Sequence, residues 1–553
     1  MIFSMVMNPT QTFRLSPAHT DAPLAQEAMR LLIRELAERA GVEVIQTAQN
    51  PDLTLIVAPG PGPEGYRIEN DGAALRIIGH DPAGLLYGVG RFLHSAVSGD
   101  GTFVPAAAWQ GSSSPAGRFR GMYFAHNFHN WYRSAPLADS IRYIEDLALW
   151  GLNAIAFPCD TNPPCPPDEI ENVMLPKQRE LIKAAKRVGI RAGMITVSNS
   201  IMTVPSADIA ATPVPDTQPE RRGNIGNRVC PSHPQGMARL ISKFDRSLEA
   251  YRSVGLDFVV AFPYDEGGCG CAQCKPWGGR GFLKACRELS RLAKEKYPDC
   301  RFVAGTWCFD VLNTPEGEFD GLDRHIRMNP GWCDYVMCDA HGDFPKWPLE
   351  HGSPGGLPMI NFAEISMWGR WPWGGSGANP YPHRIARIWS QARHLLTGGL
   401  PYSEGRYEDL NKVMCLNLFW DKDADPDQVT RAYLRYEFGP TVVDSMTEVI
   451  QIMEEIQPPE FRTHEKAKRV FDLMREVAAH LPAKVLSAWR WRMLYLRAVI
   501  DLEAATYPNQ TGVVSDRQND AYEELVLLSC AQHSQPSVTP IARSVLAFQC
   551  HRG

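Results

Sequence analysis

Asp265 and Glu266 are adjacent carboxylates that follow a short apolar run, Phe258-Val-Val-Ala-Phe262, and precede Gly267-Gly268. The run has the length and composition of a buried strand, and the two glycines end it. Successive side chains on a strand point to opposite faces. The pair therefore reaches one ligand only where the strand has ended or bulged, which Pro263 and Gly267 permit. Cleaving a glycosidic bond needs an acid to protonate the leaving oxygen and a second group to supply or position the nucleophile. An ionised Asp beside a Glu keeps the Glu protonated nearer neutral pH. The pair thus points to carbohydrate cleavage, with Glu266 as proton donor; the plainer reading is a surface loop with two solvated acids.

Three thiols follow at once, in Cys269-Gly-Cys271-Ala-Gln-Cys274. Cysteines this close can hold a structural zinc, but a closed site needs a fourth ligand. Neither a second C-x-x-C nor an H-x-x-x-H partner stands in the sequence, so Cys230 or a loop His would have to supply it in space. Free or transiently paired thiols are the alternative. A nucleophilic Cys has no diagnostic local His motif to support it.

Other polar and aromatic residues recur where strands are expected to end. Arg120 opens one strand, where it either contacts sugar hydroxyls or forms an ion pair under the sheet. His126, Asn127, His129 and Asn130 follow that strand. Trp307 ends a later strand, and Asp339 and His341 another. Glu364 and Trp368 follow the next, and Tyr402 and Glu404 the last. Each has an ordinary structural reading, and their repetition at one kind of position gives them weight.

The elements that must position these residues alternate. From Arg118 onward, strands at 121–125, 153–157, 191–197, 258–262, 302–307, 335–338, 357–362 and 400–402 are separated by amphipathic helices at 137–150, 177–188, 236–254, 282–297 and 384–396. About eight strand–helix units over roughly 300 residues predict a (β/α)8 TIM-type barrel, whose chemistry sits at the C-terminal ends of its strands. A doubly wound open sheet would carry a Gly-rich turn after its first strand; here that place holds Ala125-His-Asn-Phe-His-Asn-Trp131. Residues 1–115 predict a small α+β domain: a helix over 24–40, strands at 53–57, 66–68 and 75–78, and a Gly-rich helix over 81–93 packed on the sheet. Residues 116–425 are the barrel and 426–553 a C-terminal helical domain, with helices at 429–438, 443–456, 464–480, 485–505 and 520–528.

Bulk properties narrow the partners. The net charge of -6 is spread without a basic stripe, which argues against nucleic acid. No apolar run is long enough to span a bilayer. The first residues lack a signal-peptide pattern, and the 14 Cys do not form a dense disulfide framework, so a reducing, cytoplasmic setting is expected. The 14 Trp suit stacking on sugar faces. The helical tail either covers the barrel or makes a homodimer contact.

Together these motifs resemble β-N-acetylhexosaminidases and α-glucuronidases. The carriers are Gly84-Leu-Leu-Tyr-Gly-Val89 in the leading domain, Arg120-Gly121 on the first barrel strand, and Asp265-Glu266 after the fourth. The likeness spans about residues 50–425. The hexosaminidase resemblance implies an exo-acting, retaining glycoside hydrolase on a terminal N-acetylhexosamine. Glu266 would be the acid/base, and Asp265 would orient the substrate's 2-acetamido group, the internal nucleophile. It implies further that Arg120 holds the terminal sugar, Trp307 and Trp368 wall the pocket, Tyr402 stands near the bound intermediate, and Glu404 bonds distal hydroxyls. No cofactor is required. The hexosaminidase first strand runs Arg-Gly, three residues, then Asp, where this chain has Ala125; the Cys cluster is also foreign to that pattern. The α-glucuronidase resemblance implies an inverting alternative, with Glu266 as acid and Asp339 or Glu364 activating water. A catalytically dead carbohydrate-binding barrel is a third reading.

Overall fold

The computed structural model describes the chain except residues 1–11, 18–19, 71–73, 100–101, 106–107, 127–130, 160–169, 202, 214–226, 265–266, 311–316, 367–376, 509–513 and 531–553. The leading region holds a six-stranded sheet of β1 (Thr12–Ser16), β2 (Glu43–Gln46), β3 (Leu53–Val57), β4 (Tyr66–Asn70), β5 (Leu75–Gly79) and β8 (Gly111–Ser113) in the order β2-β1-β3-β5-β4-β8. A separate pair, β6 (Val97–Gly99) and β7 (Thr102–Val104), stands beside it. Helices Pro23–Ala40 and Pro82–Ser95 bury Leu31, Leu32, Leu36, Leu85, Leu86, Val89 and Phe92. The glycines of the second helix allow two close approaches. A Cβ on Gly88 would meet Ile77 of the sheet at 2.6 Å, whereas one on Gly90 would lie 1.9 Å from the carbonyl oxygen of Leu149, on a helix outside the sheet. Gly90 therefore presses the leading region against the barrel.

The barrel strands are β9 (Phe119–Phe124), β10 (Ala154–Pro158), β11 (Arg191–Val197), β12 (Phe258–Phe262), β13 (Arg301–Gly305), β14 (Tyr335–Asp339), β15 (Met359–Phe362) and β16 (Leu396–Gly399), with β17 (Tyr402–Ser403) continuing the eighth strand past Leu400-Pro401. All pair in parallel, and β9 pairs with both β10 and β16, so the eight-stranded barrel is closed. Alternate residues divide between two cores, as the two-residue period of a strand dictates. Phe119, Tyr123, Val260, Val303, Met337, Ile360, Phe362 and Tyr402 fill the interior. Met122, Phe124, Val259, Ala261, Phe302, Val336 and Met359 face the surrounding helices.

Those helices are Leu137–Leu149, Leu175–Arg187, Pro234–Glu249, Gly281–Lys296, Glu318–Met328, the short Lys346–His351, Pro382–Ala392 and Asp409–Trp420. Three of them escape the sequence pattern. Asp409–Trp420 lies between barrel and tail and buries Leu410, Val413, Met414, Cys415, Leu416, Leu418 and Phe419 all round, so it has no polar face to reveal its period. Lys346–His351 is under two turns long, and Glu318–Met328 carries Gly321 and charged residues between its three apolar contacts.

Helices Pro426–Phe438, Val443–Glu455, His464–Ala478, Trp489–Thr506 and Asp516–Leu528 form the tail. A buried charge network ties all three regions. Glu35 of the leading region accepts from Arg39 at 2.8 Å and from Arg142 of the first barrel helix at 2.7 Å. Arg39 also pairs with Glu437, and Arg490 with Asp409 at 2.6 Å. Burial works to raise the Glu35 carboxyl, but Arg39, Arg142 and Arg34 hold it down to about 2. No helix among the described residues is long and apolar enough to cross a membrane.

Candidate active site

At the C-terminal end of the barrel the interior opens onto an aromatic floor. Phe362 is its centre: Phe262 lies 5.0 Å away by ring centroids, His341 5.3 Å, Trp307 5.8 Å and Tyr402 6.4 Å. Tyr123 meets Tyr402 edge-on at 5.2 Å, and Trp307 packs against His341 at 4.1 Å. Inward phase continues past the strand ends and brings three carboxylates to this floor. Asp339 sits two residues beyond the interior Met337, with its Oδ1 2.6 Å from His341 Nδ1 and accepting the His341 N–H at 3.1 Å. Glu364 sits two beyond Phe362; its Oε1 accepts the Ser366 N–H at 2.6 Å, and its backbone bridges Tyr402. Glu404 sits two beyond Tyr402, whose hydroxyl donates to Glu404 Oε1 at 2.8 Å. Burial and the adjacent Glu404 raise the Tyr402 phenol well above its usual range, so it stays protonated as the donor.

The structure thus brings together Trp307, Asp339, Glu364, Tyr402 and Glu404. Arg120 takes the ion-pair alternative, which corrects the expectation that it contacts sugar. It lies on the outward phase of β9 and is wholly buried. Its Nη1 donates to Glu64 Oε2 at 3.0 Å and to the Gly117 carbonyl at 2.9 Å, and its Nε to the Gly151 carbonyl at 2.8 Å. The guanidinium lies 5.0 Å from the ring centroids of both Tyr87 and Trp420. It fastens the leading region to the barrel and does not face the floor. His126 also takes the outward phase, packing edge-on to Phe157 at 5.1 Å; burial pushes its imidazole well below the usual range and leaves it neutral. That environment places it in the layer outside the barrel and not among the ligand contacts expected of it. Asp265, Glu266 and Trp368 lie outside the described residues, as do Asn127, His129 and Asn130.

The residues flanking Asp265-Glu266 are described, and they are tightly held. Before the pair, the Pro263 carbonyl accepts the Trp277 indole N–H at 2.6 Å, and the Tyr264 hydroxyl donates to the buried Glu318. After it, Gly268 adopts φ +113°, a conformation that favours glycine. Its N–H donates to Asn199 Oδ1 at 2.9 Å, while its carbonyl accepts from Asn199 Nδ2 at 3.0 Å and Arg228 Nη1 at 2.9 Å. A Cβ on Gly267 would stand 2.2 Å from the Pro263 carbonyl oxygen, so glycine is needed for this close approach. Asn199, Arg228, Trp277 and Glu318 were not legible as site residues, because their partners are backbone groups or residues remote in sequence.

Beyond this loop, Cys269, Cys271 and Cys274 converge with Cys230, and the four sulfurs lie within 4.8 Å of one another. Cys269 and Cys274 are buried, Cys230 and Cys271 half-buried. Hydrogen bonding from Cys274 holds the Cys269 thiol down to about 5 and, reciprocally, drives the Cys274 thiol up.

A second buried cluster supports Glu404. Glu408 Oε1 accepts the Glu404 N–H at 3.0 Å, and its Oε2 accepts from Ser403 Oγ at 2.9 Å and Lys412 Nζ at 2.7 Å. Both side chains of the Glu408–Lys412 pair are essentially inaccessible.

No family model matches the sequence, and no curated protein matches it. Solved structures do. A family GH115 4-O-methyl-α-glucuronidase with specificity for decorated arabinogalactans superposes with a TM-score of 0.61 at 12% identity, covering 97% of this chain and 79% of that one. A GH138 enzyme targeting pectin rhamnogalacturonan II gives 0.57 at 12% identity, over 96% and 94%. The Streptomyces plicatus N-acetyl-β-hexosaminidase gives 0.55 at 12% identity, over 78% and 91%. The architecture is therefore that of glycoside hydrolases built as a TIM barrel with a leading α+β region.

Proposed function

We propose that this chain is an exo-acting glycoside hydrolase that releases a terminal N-acetylhexosamine-type sugar with retention, using Glu266 and Asp265. The observation that carries the reading is the aromatic floor of Tyr123, Phe262, Phe362, Tyr402 and Trp307, ringed by Asp339, Glu364 and Glu404 at the barrel end where β12 terminates, three residues ahead of Asp265 in sequence. Sugars offer apolar C–H faces to aromatic rings and hydroxyls to carboxylates. Among the described residues, the mouth carries Asp339, Glu364 and Glu404, and Arg384 reaches its edge, donating to the His341 carbonyl and acting on Glu364.

In the first step Glu266 protonates the glycosidic oxygen as the bond from C1 breaks. The 2-acetamido carbonyl oxygen attacks C1 from the opposite face, and Asp265 accepts the amide N–H that becomes more acidic as the ring closes. Water then adds at C1, giving its proton to Glu266, and the acetamido group is regenerated. The substrate supplies the nucleophile, so the enzyme needs one acid/base and one orienting carboxylate. The test is a series of aryl glycosides with increasingly fluorinated 2-acetamido groups. Substrate assistance predicts a steep fall in kcat/KM as the carbonyl loses nucleophilicity; a flat series would exclude it.

Asp339 and Glu364 favour a second reading. Each stands on its own strand end at the floor, as a base activating water would in an inverting enzyme. Such a base stands about 6.5–9.5 Å from the acid. Inverted product anomers, seen by NMR early in the reaction, would select this reading.

A further inference from the structure

Cys230 comes from a loop far ahead of Cys269-Gly-Cys271-Ala-Gln-Cys274, yet its Sγ lies 3.7 Å from both Cys271 Sγ and Cys274 Sγ. That separation decides between two chemistries. A disulfide needs sulfurs about 2.05 Å apart. Four thiolates about 2.3 Å from a central zinc form a tetrahedron with edges of about 3.8 Å. The spacing is that of ligands around an ion.

The backbone is arranged for the same geometry. The Cys271 carbonyl accepts the N–H groups of Cys274 and Lys275, both at 3.0 Å, folding the C-x-x-C segment into a tight turn that aims its two sulfurs to one side. The Gly270 N–H donates to the Thr212 carbonyl at 2.8 Å, and the Cys230 N–H to the Ile209 carbonyl at 2.9 Å, fixing the two approaches. Around the sulfurs stand groups suited to a negatively charged centre. Ser232 Oγ lies 3.1 Å from Cys274 Sγ and accepts from Lys284 Nζ at 2.7 Å. Arg228 reaches the Gly268 carbonyl beside Cys269.

We propose that Cys230, Cys269, Cys271 and Cys274 bind one zinc ion as four thiolates, and that this closed site clamps the segment that carries Asp265-Glu266. Each thiol gives its proton to solvent on binding. The resulting centre carries two net negative charges, which Arg228 and Lys284 offset. With four protein ligands no position stays open, so the ion is structural and takes no part in turnover. The clamp begins at Cys269, three residues after Glu266. It ties the chain leaving the acids to the Cys230 loop, while Asn199 and Arg228 hold Gly268. The clamping role rests on the reading of Asp265-Glu266 as catalytic; the zinc site does not.

The experiment is metal analysis of the full chain, purified in reductant without chelator, together with thiol titration and hydrogen exchange. The expected result is about one zinc per chain, released by an organomercurial in step with four thiols. Cobalt exchanged into the site would give the visible bands of a tetrahedral thiolate complex. Cys271→Ser, at the half-buried corner, is expected to lose most of the zinc and to speed amide exchange over residues 267–275. Cys530→Ser, at a thiol outside the cluster, should keep both zinc and protection. A folded wild type without zinc, a disulfide among the four, or iron in place of zinc would overturn the site. Unchanged exchange on zinc removal would overturn the clamp. Full zinc in a protein that cleaves no glycoside would leave the metal site standing and sink the functional reading; a protein active on glycosides that holds no zinc as purified would do the reverse.

Discussion

Glu408 holds Glu404 by its backbone: one carboxylate oxygen accepts the Glu404 N–H at 3.0 Å while the other is neutralised by Lys412 at 2.7 Å. The Glu404 side chain is thereby set at the floor beside Tyr402. Glu408→Gln is expected to lower kcat/KM on the order of 10²-fold, because displacement of a positioned group by an ångström costs that much. The folded protein should keep its far-UV spectrum. A Glu408→Gln enzyme with wild-type kinetics would show that the Glu404 position does not matter.

Lys412→Met acts differently, since it leaves the Glu408 carboxylate buried without its cation. Removing one partner of a buried pair costs about 3–5 kcal/mol. Urea unfolding should show the loss as a lower midpoint with an unchanged slope, and Lys412→Met combined with Glu408→Gln should recover part of it.

Arg120 tests whether this barrel binds sugar as the hexosaminidase resemblance implies. Its guanidinium is occupied by Glu64 and the carbonyls of Gly117 and Gly151. Arg120→Met leaves those acceptors unpaired, at about 1–3 kcal/mol. Thermal stability should fall while KM of the folded enzyme stays put. A large rise in KM with unchanged stability would return Arg120 to the sugar.

The barrel was legible in the sequence because its strands are short apolar runs and most of its helices carry a polar face. β11 and β12 have the bounds that composition predicts. The helix Asp409–Trp420 was not, since burial on all sides erases its period. β2 was missed because Glu43-Val-Ile-Gln46 is an exposed edge with little apolar content. Strand-end position anticipated the residues that the structure groups at the barrel end, Asp339, Glu364, Tyr402 and Glu404, because the two-residue phase carries on past each strand. The same reasoning failed for the ligand contacts expected of Arg120 and His126, whose phase on and after β9 is outward; Arg120 takes its ion-pair alternative. Cys230 was one of the alternatives for a fourth ligand; only the fold brings it to Cys271 and Cys274.

His383 gives a pH dependence. Hydrogen bonds to Glu454 at 2.9 Å and to Asp427 at 3.0 Å raise its imidazole from 6.5 to about 9, against the opposing effect of burial. A raised folded pKa means the stabilisation is complete below about pH 6.5 and is lost as pH rises through about 9. The melting-temperature difference between wild type and His383→Asn should therefore be largest near pH 6 and shrink by pH 9.5. The ring is partly exposed, so the difference should also shrink with salt. A difference independent of pH would mean that the protonated pair contributes nothing.

The central claim is that Glu266 is the proton donor of a glycoside hydrolase and Asp265 its orienting partner. The most direct measurement is hydrolysis of a panel of chromogenic glycosides by wild type, Glu266→Gln and Asp265→Asn. The account predicts release from N-acetylglucosaminide or N-acetylgalactosaminide, falling on the order of 10²–10⁴-fold in Glu266→Gln and comparably in Asp265→Asn. Turnover that survives both substitutions would contradict it.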